Sequence, residues 1–145
     1  MLKSTTERYQ SFIDFITSKK IVDVPCLVVI IPNYPAIMAD DGSRKMGFAC
    51  YTPSYLPEYG LMYVAADRGI IAKELSIGTP EDYVPTEAEI DEEVYCRIAH
   101  EYYHHVQCVK TGDITDEEAA DEEAEKWADW IIDEFKRFLY RMGSQ

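Results

Sequence analysis

All three histidines of this 145-residue chain fall between positions 100 and 105, in the run Ile98-Ala99-His100-Glu101-Tyr102-Tyr103-His104-His105-Val106-Gln107. His100, Glu101 and His104 spell H-E-x-x-H. Side chains four residues apart share one face of a helix, so His100 and His104 can present two imidazole nitrogens to a single metal ion. Glu101, one position round, can reach a water on that ion and take its proton. Two histidines and a carboxylate at this spacing are the parts of a zinc-assisted hydrolysis with Glu101 as the general base. A single histidine in a helix usually only packs; a pair with a glutamate between its members is a rarer arrangement.

Such residues need a helix to carry them and a second element to complete the ion's shell. Thr86 with Glu89 three residues on forms a capping-box pattern, and Gly112 is a natural stop, so the carrier helix is expected between them. Projected at 100° per residue, Val94, Ile98, Tyr102 and Val109 lie roughly opposite His100, and Tyr95 and Val106 extend that stripe. Arg97, His104 and Gln107 fall on the His100 side, with Glu101 at its edge. One face is therefore expected to pack and the other to carry the site, while His105 has a structural or supporting role.

A catalytic zinc needs a third protein ligand and keeps its fourth position for water. The acidic second helix, opening at Thr115 with Glu118 three on and running to about Met142, offers the candidates. Its apolar stripe is Ala120, Ala124, Trp127, Ala128, Ile131, Phe135 and Phe138. Glu123 flanks this stripe beside Trp127 and Trp130 and ranks first. Glu117 ranks second, because a first-turn acid already complements the helix dipole, and Glu122, aimed at solvent, ranks third. Cys96 and Cys108 repeat with the two histidines every four residues. About 18 Å apart along the axis, they cannot share one ion. Either could be a third ligand, but small buried hydrophobes is the better reading.

The remaining sequence supplies the frame. Tyr9, Phe12, Ile13 and Ile16 predict an amphipathic helix over 5–18. Strand-like runs cover Ile21 to Ile31, Lys45 to Thr52 and Leu61 to Ala66, separated by turn residues, and short connections favour antiparallel pairing. Residues 67–85 read as irregular, with a turn of helix near Ile70 to Leu75. The expectation is a single α+β domain over 1–145: an N-terminal helix, a small, mostly antiparallel three-stranded sheet, then two long helices. A net charge of −13 argues against nucleic-acid binding. No apolar run approaches the roughly 20 residues of a membrane span, and no leader is expected. A cytoplasmic protein with reduced thiols follows.

His100-Glu101-Tyr102-Tyr103-His104, then eighteen residues, then Glu123 resembles H-E-x-x-H-x18-E, the pattern of gluzincin metallopeptidases. Arg97-Ile98-Ala99-His100-Glu101 and Glu123-Ala124-Glu125-Lys126-Trp127-Ala128 look like the two signature helices of the ImmA/IrrE-like minimal metallopeptidases. The last 60 residues carry this resemblance best. Tyr102-Tyr103 departs from it, since Leu-Gly is frequent there, and so does His105-Val106-Gln107. The resemblance implies a zincin-like core, one Zn2+ held by His100, His104 and Glu123, Glu101 as catalytic base, and a peptide or protein substrate of narrow range. It also implies that an edge strand pairs with the substrate, for which Leu61 to Ala66, the last strand before the site helix, is the expected element. A metal-binding regulatory module without hydrolysis is the alternative, and an acidic interaction domain with an accidental histidine cluster is a third reading.

Overall fold

The computed structural model describes residues 5–32, 37–38, 46–47, 49–112 and 116–143. The expected element order holds. Helix α1 (Thr5–Ser18) precedes strands β1 (Cys26–Ile31), β2 (Ile37–Met38), β3 (Met46–Gly47), β4 (Ala49–Thr52) and β5 (Gly60–Ala65). Helices α2 (Arg68–Leu75), α3 (Glu87–Thr111) and α4 (Glu117–Gly143) follow. The fold is α+β.

Two features of the sheet differ from the sequence reading. Its order is β1-β5-β4, so β5, expected at the edge, is central. It pairs antiparallel with β4 and parallel with β1. The short 3-10 turn Pro53–Tyr55 after β4 returns the chain as a neighbour. The longer path from β1 to β5 carries the chain back to run in the same direction. Residues Ile21 to Pro25 lie outside the strand, and β2 and β3 form a separate two-stranded pair. In place of a single turn near Ile70, α2 has eight residues and is capped by Asp67, whose side chain accepts from the Ile70 amide.

Helix α3 packs on β4 and β5, and α1 and α4 pack on α3, around one apolar cluster. Met62 and Val64 of β5 are fully buried in the same cluster as Val94 and Ile98 of α3, Phe12 and Ile16 of α1, and Ile131 and Phe135 of α4. Each large apolar side chain so buried stabilises the fold by roughly 1.5–3 kcal/mol. Asp91 adds a polar tie, accepting from Arg8 Nε (2.9 Å), Tyr9 Oη (3.1 Å) and Arg68, so that α1, α2 and α3 meet at one carboxylate.

The site helix forms as its ends predict. Thr86 and Glu89 make the reciprocal capping box, and Gly112 closes the helix at φ 80, a left-handed angle that glycine adopts without a Cβ penalty. Arg97 was expected on the open face but is buried. Its guanidinium donates to the Ala65 carbonyl at the end of β5 (2.8 Å), to Glu74 of α2 (3.0 Å) and to Glu93 (3.2 Å). A buried charge persists only when so partnered, and here it fixes the rotation of α3 against the sheet. Thr115, the expected cap of the second helix, lies outside the described residues; Asp116 Oδ1 accepts from the Ala119 amide at 3.1 Å.

Candidate metal centre

His100, Glu101 and His104 come together midway along α3. One ligand atom of each lies within 4.8 Å of the others, close enough for the three to hold a metal ion. The two Nε2 atoms are 3.1 Å apart. The third group against them is Asp121 of α4, whose Oδ1 is 3.2 Å from His100 Nε2 and 3.0 Å from His104 Nε2. Glu123, ranked first from the sequence, is elsewhere: its Oε1 accepts from Tyr103 Oη at 2.7 Å, and the Tyr103 ring lies tilted against Trp127 with centroids 5.2 Å apart. Its place beside Trp127 is as expected, yet that flank faces Tyr103 and not the histidines. Glu122 is exposed, and Glu117 lines the cleft near His104 and Asp121 without joining the cluster. Neither Cys96 nor Cys108 belongs to it.

The surroundings of His104 and His105 are set by hydrogen bonds. Gln107 Oε1 lies 2.7 Å from His104 Nδ1, and Gln107 Nε2 donates to the Ala120 carbonyl of α4 at 3.1 Å. His105 is fully buried. Its Nε2 donates to the Val24 carbonyl (2.7 Å) and its Nδ1 accepts from Tyr51 Oη (2.7 Å), so the imidazole ties α3 to β4 and to the segment before β1. Burial keeps its pKa below the usual histidine value, the Val24 bond opposing.

Glu101 lies between two compartments of one groove. On the His100 side a space of about 360 Å³ is bounded by Ala49, Arg97, Glu125 and Asp129. On the His104 side a space of about 300 Å³ is bounded by Tyr51, Pro53, Glu117 and Asp121. Strand β4 therefore runs past both, and among the described residues its far edge pairs with no other strand. Glu117, Asp121, Glu125 and Asp129 stand four residues apart and form one ridge of α4 along the opposite wall. Arg97 is the lone cation among the lining residues, and it is engaged by Glu74 and Glu93.

This charge is felt locally. Burial, with the Glu93, Glu92, Asp129 and Glu125 charges adding to it, pushes the Cys96 thiol up to about 11. Burial also raises the Glu101 carboxyl above the ordinary glutamate value; His104 and His100 oppose that rise and Asp121 adds to it. A carboxyl shifted this way is closer to the range in which a general base works.

Sequence reasoning missed Asp121, Gln107 and Tyr51 as parts of the site's surroundings. The four-residue spacing of the α4 acids was a usable signal for the first. Gln107, three residues beyond His104, was correctly placed on the site face, but its contact with α4 required the helix pairing. Among the described residues no helix is long and apolar enough to cross a membrane. Comparison of the chain with models of known protein families, with curated proteins and with solved structures finds no match in any of the three.

Proposed function

We propose that the chain is a zinc-dependent peptidase. The observation that carries this reading is the convergence of His100, Glu101 and His104 at the junction of two compartments that lie between β4 and α4. Imidazole and carboxylate donors suit zinc. Zinc, when bound, supplies Lewis acidity, making water acidic enough to lose a proton near neutrality and polarising a carbonyl.

The chain's own residues do the rest. His100 and His104 would hold the ion, and Glu101 would take the proton of the attacking water and return it to the leaving amine. An extended peptide lies along the groove between β4 and α4, which places its backbone beside Glu101 with side chains in the two compartments. Strand β5, where the sequence suggested the substrate edge, is paired on both sides and offers none. The carboxylates of the walls favour cationic substrates over acidic ones. The four cysteines are thiols, which suits a reducing compartment such as the cytoplasm.

The test is exposure of a diverse peptide library to zinc-loaded wild type and to Glu101→Gln, followed by mass spectrometry of new termini. New termini made by the wild type and absent with Glu101→Gln support the proposal. A library left intact by the wild type with zinc bound refutes the peptidase reading.

A further inference from the structure

We infer that Asp121 is the third protein ligand of the metal, and that Gln107 is the positioning residue that presents both His104 and Asp121 to it. This assignment rests on the reading of the histidine pair as a metal site and is independent of what bond is hydrolysed.

Geometry comes first. His100 Nε2, His104 Nε2 and Asp121 Oδ1 form a triangle with edges of 3.1, 3.0 and 3.2 Å. Donors about 2.0–2.1 Å from a tetrahedral zinc lie about 3.3 Å from one another. The three atoms thus have nearly the mutual spacing of one face of such a shell. Glu123 takes no part, its carboxylate being occupied by Tyr103 Oη.

Proton positions give an independent argument. Gln107 Nε2 donates to the Ala120 carbonyl, which leaves Oε1 as the amide atom facing His104 Nδ1. That oxygen only accepts, so Nδ1 carries a proton, and in the neutral form of the ring Nε2 offers its lone pair. The lone pair faces a carboxylate oxygen 3.0 Å away. Two acceptors at that distance repel unless a proton or a metal cation lies between them, and His100 Nε2, 3.1 Å from His104 Nε2, gives that metal cation a third donor. Ala120, whose carbonyl Gln107 holds, directly precedes Asp121. A single amide therefore sets the tautomer of one ligand and the approach of the backbone carrying the next, linking α3 to α4 at the metal. Groups that orient metal ligands in this way commonly alter affinity 10- to 100-fold.

The test uses the full chain, freed of metal, titrated with zinc against a chromophoric chelator and with cobalt by visible absorption. Asp121→Ala is expected to weaken zinc binding about a hundredfold and to weaken the tetrahedral cobalt bands, Gln107→Met to weaken it about tenfold, and Glu123→Gln to leave it unchanged. Long-range nitrogen NMR reads the His104 tautomer directly. The Nδ1–H form is expected in the wild type and loses its preference in Gln107→Met, a change that loss of packing alone does not produce. Asp121→Asn, isosteric at a side chain 59% exposed, guards against misfolding, and its metal-free melting point should match the wild type. Wild-type affinity in Asp121→Ala overturns the assignment, and weakening in Glu123→Gln moves the ligand there. No zinc uptake by the wild type overturns both this inference and the metal-site reading. The expected affinities without peptide cleavage leave the assignment standing and remove only the peptidase.

Discussion

Gly60→Ala offers a sharp test of how the sheet is locked to the site helix. A Cβ at position 60 would lie 2.3 Å from His105 Nδ1 and 2.7 Å from both Cε1 and Oη of Tyr51. Gly60 does not adopt a left-handed φ, so the cost is steric. Neither neighbour can retreat freely, since His105 is fully buried and bonded through Nε2 to Val24 while Tyr51 Oη is bonded to Nδ1. Overpacking of this kind costs about 1–3 kcal/mol. Breaking the Tyr51–His105 bond and leaving a buried acceptor costs about 1–3 kcal/mol more. The expected loss is therefore about 2–6 kcal/mol, read as a lower urea midpoint with little change in slope. His105→Ala removes the atom the new methyl would strike. In that background Gly60→Ala should cost less, with a coupling of about 1–3 kcal/mol in a double-mutant cycle. A loss below about 1 kcal/mol, or the same loss in both backgrounds, would refute the packing described here.

Three further outcomes are expected. Burial would raise the Asp91 carboxyl, but Arg8, Arg68 and Tyr9 outweigh it and hold it below the ordinary aspartate value. Its stabilisation is thus complete above the unfolded-state pKa near 3.8 and is lost as pH falls through the lower folded value. Urea unfolding from pH 7 down to pH 2 should therefore show an acid-side decline that Asp91→Asn flattens, and identical profiles would remove Asp91 from the account. Arg97→Met should destabilise by about 3 kcal/mol, because it strands the Ala65 carbonyl and two carboxylates; a thermal melt within a degree of wild type contradicts that role. Peptides with lysine or arginine near the cleaved bond should react about tenfold faster than acidic ones at low salt, the gap closing as salt is added. An acidic preference in a matched peptide pair would rule this out.

The helix ends were legible because their signals are local: Thr86, Glu89 and Gly112 act within one turn. The histidine pair was legible for the same reason, its spacing being a property of a single helix. The third group was not, because it depends on how α4 is rotated against α3. Ranking Glu123 by its place beside Trp127 found the correct flank but the wrong neighbour, Tyr103. The i, i+4 row of Glu117, Asp121, Glu125 and Asp129 marked an acidic ridge of α4 as a candidate, but which ridge faces His100 is set by the pairing of the two helices. The sheet order failed similarly. Strand β5 looked like an edge from its position in the chain, and only the parallel pairing with β1 places it in the centre. Arg97 was read as open because it projects onto the His100 side of the helix, whereas the Ala65 carbonyl, Glu74 and Glu93 satisfy it in the interior.

The most direct measurement of the central claim is metal content of the purified, never-chelated chain by elemental analysis, with His104→Ala and Glu101→Gln alongside. The account predicts one zinc per chain in the wild type and in Glu101→Gln, and its loss in His104→Ala. A wild type that carries no zinc and takes up none on titration would contradict it.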